Sequence, residues 1–217
     1  MPQTEPSDPA TDAVVRSGVV AVLRATDADR FAAVAEVLVG AGVTALEVTL
    51  TSRGAVAALA GLVRDLPEHV VVGAGTVLTA DDAKACVDAG AAFLVAPVLV
   101  PEVSAVGAGA GVPTYPGALT PTEVFTAARG GAPVVKLFPA SAVGPRYIRD
   151  LHGPLPDVRI MPTGGIDIDD IGAWLKAGAV AVGLGGPLLG DAADRGSLLT
   201  LAERARRAAE AVTAARS

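Results

Sequence analysis

Cysteine, histidine and aromatic side chains are scarce in this 217-residue chain, and each scarcity removes a class of chemistry. A single cysteine, Cys86, excludes an internal disulfide and any site built on several thiolates. His69 and His152 are the only imidazoles, so no histidine-rich metal centre is expected and no residue is assigned to a metal. Seventeen basic residues stand against 23 acids, for a net charge of −6, and no basic run occurs, which argues against a nucleic-acid partner. Long apolar runs are missing as well. Residues 89–101 and 177–190 lie between charges and fall short of the roughly 18–20 residues a spanning helix needs, and 103–122 is interrupted by glycines and prolines. With no membrane span and no basic, apolar leader, a cytoplasmic protein is the expectation. Carboxylates, lysine, arginine and hydroxyls are left to carry any chemistry.

What the chain does have is a hydrophobic content of 51%, mostly Ala, Val and Leu, with aromatics at only 3%. That composition suits many small, repeated contacts in a single domain. Residues 1–13 are polar and Pro-rich and read as a flexible tail, leaving 14–217 as the domain. Short β-branched runs then alternate with Ala-rich helical stretches. The strand candidates are 19–25, 44–50, 70–76, 92–98, 112–118, 134–140, 159–165 and 179–186. Helical stretches end in a glycine pair or Ala-Gly at Gly42, Gly90, Gly131 and Gly178, 41 to 48 residues apart. Glycine there is the expected left-handed stop, and each interval equals two βα units of about 20–24 residues. Strict alternation with near-continuous apolar strands means a parallel α/β sheet. Eight units predict a (β/α)8 TIM barrel, with an open doubly wound sheet as the alternative.

In such a barrel the working groups sit at the C-terminal strand ends, and the informative polar residues fall there: Arg24, Glu47, Thr49, Thr76, Lys136 and Thr163. Of three lysines, Lys84 and Lys176 lie in helical stretches, whereas Lys136 sits inside the apolar strand VVKLF. Burial disfavours an ammonium and so favours the neutral amine that attacks a ketone. Glu47 has the same character in TALEVTL. Alternation puts Glu47 and Thr49 on one face against Leu46, Val48 and Leu50, and puts Lys136 with Val134 and Phe138. A carboxylate and a lysine in one interior can act as base and nucleophile, or form a structural ion pair, Glu47 also having Arg24 as a potential partner. Two glycine turns, PTGGI (162–166) and GLGG (183–186), would follow the last two strands, where backbone N–H groups commonly hold phosphate. Trp174, Phe31 and Cys86 read as helix packing, His152 as a helix-end residue, and the run 203–211 as a solvated face.

The ordered motifs LEVTL (46–50), GAGTVL (73–78), VKLFPAS (135–141) and MPTGGI (161–166) resemble the 2-keto-3-deoxy-6-phosphogluconate / 4-hydroxy-2-oxoglutarate aldolase family, over about Val19 to Leu189. The resemblance implies a cofactor-free Schiff-base lyase in an Entner–Doudoroff type of carbohydrate metabolism. It also implies a homotrimeric barrel and a small 2-keto acid substrate cleaved to pyruvate and an aldehyde. It carries the imine lysine onto Lys136 and the acid/base glutamate onto Glu47. Thr76, Pro97, Phe138 and Thr163 match the keto-acid end of the pocket, Arg24 stands where many members have arginine, and Gly164, Gly165, Gly185 and Gly186 match the phosphate site. Departures concern the substrate: Thr51 replaces an arginine of the phosphogluconate branch, with Arg53 nearest, Gly186 replaces a serine, and 138–148 is closer to galactonate-type members. A phosphosugar isomerase or epimerase, or a non-catalytic phosphometabolite-binding barrel, are the alternative readings.

Overall fold

A computed structural model describes residues 8–217. Among the described residues nine short strands occur: β1 Val19–Leu23, β2 Ala45–Thr49, β3 Val71–Gly75, β4 Leu94–Val95, β5 Thr114–Tyr115, β6 Gly117–Ala118, β7 Val135–Leu137, β8 Ile160–Pro162 and β9 Val182–Leu184. Helices alternate with them: α1 Pro9–Ser17, α2 Phe31–Gly40, α3 Ala55–Asp65, α4 Ala80–Asp88, α5 Pro101–Ala110, α6 Pro121–Arg129, α7 Arg146–His152, α8 Ile171–Lys176, α9 Gly186–Leu189 and α10 Leu198–Arg216. All strand pairings are parallel, in the orders β5-β4-β3-β2-β1-β9 and β6-β7-β8. A single parallel bridge, Thr163↔Gly183, ties β8 to β9. The fold is thus a parallel α/β structure of TIM-like barrel type.

All eight strand runs read from sequence are present, each shorter than the run. The run 112–118 differs in kind, because Pro116 has no N–H to give to a ladder. It splits the run so that β5 pairs with β4 and β6 with β7, handing the chain from one sheet to the other. The helix stops hold: Gly42, Gly90, Gly131 and Gly178 have φ of 93°, 88°, 86° and 108°. These are left-handed conformations that cost glycine little and other residues more.

Alternation along the strands creates two cores. Leu46, Val48, Val72, Ala74, Val135 and Leu137 face outward and pack with helix residues such as Phe31, Leu59 and Trp174. Val20, Ala45, Phe93, Val95, Tyr115, Val134 and Met161 face inward and fill the interior. Phe93 stacks on Tyr115, with ring centroids 5.3 Å apart.

The interior is closed at the N-terminal ends of the strands by α1, and this corrects the reading of 1–13 as a tail. Residues 1–7 lie outside the described residues, but Pro9 already begins a helix. Asp8 caps it by accepting from the Thr11 amide at 2.7 Å, and Pro stands in its first turn, where its missing donor costs nothing. Val14 is wholly buried in the inner core, and the Thr11 hydroxyl meets the Tyr115 hydroxyl at 2.9 Å. Arg216 of α10 donates to the carbonyls of Val15 and Arg16. Local polarity suggested a tail; tertiary contacts decide otherwise. A second correction concerns 203–211. Arg204 is half-buried and donates to the Leu188 and Leu189 carbonyls at the end of α9, at 2.6 and 2.7 Å, whereas Arg206 and Arg207 are exposed. Among the described residues no helix is long and apolar enough to cross a membrane.

Candidate active site

The inward faces of β2 and β7 bring together the two charged residues singled out from sequence. Glu47 is 1% and Lys136 5% exposed, and Lys136 Nζ lies 3.6 Å from Glu47 Oε1. The partner of Glu47 is therefore Lys136, not Arg24. At this separation the pair attracts by about 4–5 kcal/mol at an effective dielectric of 20. Removing each ion from water costs several kcal/mol, so the pair adds little net stability. Neither Glu47 oxygen has a hydrogen-bond partner among the described residues, which leaves the carboxylate able to accept from a bound molecule. Lys136 Nζ also stands 5.4 Å from the centre of the Phe138 ring, which is 36% exposed and forms a wall toward solvent.

Four glycines, which the strand pattern alone did not single out, hollow out this interior. A Cβ at Gly75 would overlap the Glu47 carboxylate, one at Gly183 the Thr163 hydroxyl, one at Gly73 the Phe93 ring, and one at Gly117 the Pro97 carbonyl. The period-two alternation of GAG in β3 was a usable signal, since it puts Gly73 and Gly75 on the face shared with Glu47.

The other expected residues stand at or just beyond the C-terminal ends of their strands. Thr163, next after β8, is 6% exposed and its hydroxyl has no partner among the described residues. Thr76, next after Gly75, has φ of 60°, an unfavourable conformation for a β-branched residue of the kind that clusters at functional sites. Pro97 is half-buried beyond β4, and Arg24 is exposed one residue beyond β1. After β8, Gly164 and Gly165 are both left-handed, at φ of 93° and 70°. Gly164 adjoins the Phe138 ring, and Gly165 adjoins the side chain of Ser141. Gly185 and Gly186 open α9 after the neighbouring strand β9.

Ser141 was not among the expected residues. Its amide donates to the Gly164 carbonyl at 3.0 Å, so its exposed hydroxyl is held beside the glycine turn. Arg53 does not substitute for an arginine at position 51. It makes a two-point pair with Asp27, at 2.7 and 2.9 Å, on the exposed rim. Thr51 instead donates to the Thr49 hydroxyl at 3.2 Å, which donates to the Leu23 carbonyl at 2.9 Å.

Groups set aside at the sequence level stay outside the site. Cys86 is fully buried in α4, and burial pushes its thiol up to about 11. His152, in the last turn of α7, contacts the Val158 carbonyl at 3.0 Å. Among the described residues no group of three His, Cys, Asp or Glu is placed to hold a metal ion.

The sequence and fold have counterparts among known proteins. Residues 11–197 match the family described as KDPG and KHG aldolase. The chain belongs to this aldolase family. It is 34% identical over 171 residues to the 2-dehydro-3-deoxy-6-phosphogalactonate aldolase of Escherichia coli (strain K12), covering 78% of this chain and 83% of that protein. With the KHG/KDPG aldolase of the same organism it shares 33% identity over 195 residues, 88% of this chain and 91% of the relative. Among solved structures, the Legionella pneumophila KDPG aldolase, with pyruvate captured as a covalent carbinolamine, superposes with a TM-score of 0.80. It is 28% identical, with 96% of this chain and 98% of that chain covered.

Proposed function

We propose that this chain is a class I aldolase that cleaves a phosphorylated 2-keto-3-deoxy sugar acid to pyruvate and glyceraldehyde 3-phosphate through an imine on Lys136. The observation that carries the reading is the buried Lys136–Glu47 pair at 3.6 Å, whose carboxylate has no other partner among the described residues. A buried nucleophilic amine beside a free base is the minimum for imine chemistry, and it adds little net stability to the fold.

The steps follow from that geometry. Glu47 takes a proton from the Lys136 ammonium, the neutral amine attacks the C2 ketone, and Glu47 passes protons so that the carbinolamine loses water to the imine. Glu47 then takes the C4 hydroxyl proton as the C3–C4 bond breaks. The bonding pair moves into C2–C3, with the protonated imine as electron sink, and the aldehyde leaves. The carboxyl returns a proton to C3 of the enamine, and water hydrolyses the imine to release pyruvate and Lys136. Phe138 and Pro97 keep the imine dry, while Arg24, Thr76 and Thr163 orient the substrate carboxylate and hydroxyls. Backbone amides of the turns at Gly164, Gly165, Gly185 and Gly186 take the phosphate, with the Ser141 hydroxyl at its edge.

The substrate choice within the family rests on Thr51 and on the phosphate turn. We favour the gluconate-type acid, with the galactonate epimer and 4-hydroxy-2-oxoglutarate as the other candidates. No observation favours the isomerase or binding-protein readings over this one. Eight strand runs, β9 beside β1 and the Thr163↔Gly183 bridge support a closed (β/α)8 barrel as one domain. A homotrimer is what the family resemblance implies for this chain, and light scattering tests it. A cytoplasmic location is the fitting one for such an enzyme.

Borohydride with pyruvate tests the chemistry. Reduction is expected to label the peptide containing Lys136 alone. Labelling of Lys84 or Lys176, or none in an active preparation, overturns the imine assignment. A coupled pyruvate-release assay across a panel of 2-keto acids identifies the substrate.

A further inference from the structure

We infer that Gly75 is a positioning residue: the absence of a side chain there sets where the Glu47 carboxylate stands. The inference rests on the reading of Glu47 as the proton carrier.

No hydrogen bond fixes this carboxylate. Both its oxygens lack partners among the described residues, and the Lys136 ammonium lies 3.6 Å away, beyond hydrogen-bond reach. Its place is therefore set by packing together with the charge of Lys136, which no hydrogen bond makes directional. A Cβ built on Gly75 would overlap Oε1 and stand 2.5 Å from both Cδ and Cγ of Glu47. The outer half of the glutamate occupies the volume that any side chain at position 75 would take. In register Thr49 faces Gly75 and Glu47 faces Gly73, so the glutamate leans one inward-facing position along β3, toward the catalytic mouth.

The backbone does not ask for glycine here. Gly75 is absent from the left-handed glycines, and as the last residue of β3 it is paired in register with Thr49 on one side and Val95 on the other. Space for Glu47 is the remaining reason for it. Ordinary contact is 3.4–4 Å, so an alanine methyl forces Cδ to retreat by about 1 Å. The group that must move is the end of a flexible side chain, which can rotate away without unfolding the strand. Displacement on this scale costs about 10²-fold in rate when it falls on a reacting group.

The exchange of pyruvate methyl protons in D₂O isolates the step. On the imine of pyruvate with Lys136, Glu47 takes a C3 proton. The C–H electron pair becomes the C2–C3 double bond and the imine nitrogen takes the displaced pair. The carboxyl group, re-equilibrated with solvent, then returns a deuteron. Proton NMR reads the exchange, and borohydride trapping at saturating pyruvate reads how much imine forms. Gly75→Ala is expected to keep the extent of trapping and a pyruvate KM within about 3-fold, while exchange slows about 10²-fold. The double variant Gly75→Ala with Glu47→Asp should exchange faster than Gly75→Ala alone, because the shorter arm clears the methyl.

Wild-type exchange in Gly75→Ala, with Glu47→Gln inactive, overturns the role of Gly75 and leaves the mechanism standing. Wild-type exchange in Glu47→Gln overturns the mechanism, and this inference with it. Equal loss of trapping and exchange in Gly75→Ala, without recovery in the aspartate double variant, points to a merely structural glycine and overturns the inference. Should Gly75→Ala fail to fold, Gly75→Ala with Glu47→Ala must fold, because the clashing group is gone; an unfolded double variant refutes the steric account.

Discussion

Replacing Glu47 by Gln removes the proton carrier while keeping its shape, and the structure bounds both consequences. The side chain is 1% exposed and overlaps the space above Gly75, so an isosteric amide leaves the packing alone. The attraction to Lys136, about 4–5 kcal/mol at an effective dielectric of 20, disappears. So does the cost of keeping the carboxylate out of water, which is several kcal/mol. Lys136 is left buried without its counter-charge, however, and removing one partner of a buried pair costs about 3–5 kcal/mol, at about 2–4 °C in Tm for each kcal/mol in a domain this size. The rate is a different matter. Removing a general acid/base costs about 10²–10⁴-fold, or about 2.7–5.5 kcal/mol in the barrier. Steady-state pyruvate release from the phosphorylated substrate measures kcat, and calorimetry measures Tm. Slow borohydride trapping should persist, because Lys136 is untouched. Near-normal kcat in a folded Glu47→Gln protein refutes the reasoning, since some other group must then carry the protons.

Four further outcomes are expected. Lys136→Ala should lose turnover and borohydride labelling together while binding of the phosphorylated substrate, measured by calorimetry, persists. Gly185→Val should raise KM for the phosphorylated six-carbon acid by blocking backbone approach and leave cleavage of 4-hydroxy-2-oxoglutarate nearly unchanged; equal effects on both would remove the phosphate site from these turns. At the start of α6 the amides of Thr120 and Leu119 donate to Glu123 and hold its carboxyl below the ordinary range. The carboxyl binds protons less readily folded than unfolded, so this cap stabilises above the ordinary carboxylate range and is lost as pH falls through the lowered value. Hydrogen exchange of the α6 amides should rise there relative to a Glu123→Gln variant, whose exchange protection stays flat over the same interval. Finally, Cys86 is buried and pushed up to about 11, so iodoacetamide at pH 8 should label it only after denaturant is added.

Much of the site was legible because β-strand alternation is a local property. Leu46 and Val48 turn outward, which obliges Glu47 to turn inward, and Val135 and Leu137 do the same for Lys136. Glycine at positions 42, 90, 131 and 178 announced the helix ends for an equally local reason, the steric freedom of a residue without Cβ. Only the tertiary structure decided what those inward residues meet. The 3.6 Å between Lys136 and Glu47 depends on the stagger of strands distant in the chain. Whether Glu47 leans onto Gly75 or away from it depends on that same stagger.

The helix at Pro9–Ser17 shows the other side of the limit. Its polar sequence has too little apolar surface to order itself, and its place comes from Val14 entering the inner core and Thr11 meeting Tyr115. Ser141 beside Gly165, Arg53 held by Asp27 and Arg204 on α9 are decided in the same way. Sequence by itself determined the parallel α/β class, the strand runs and the two inward charged groups, because periodicity and backbone sterics act over a few residues. Distances, partners and free volume were decided by tertiary structure, because they are set where segments remote in the chain converge.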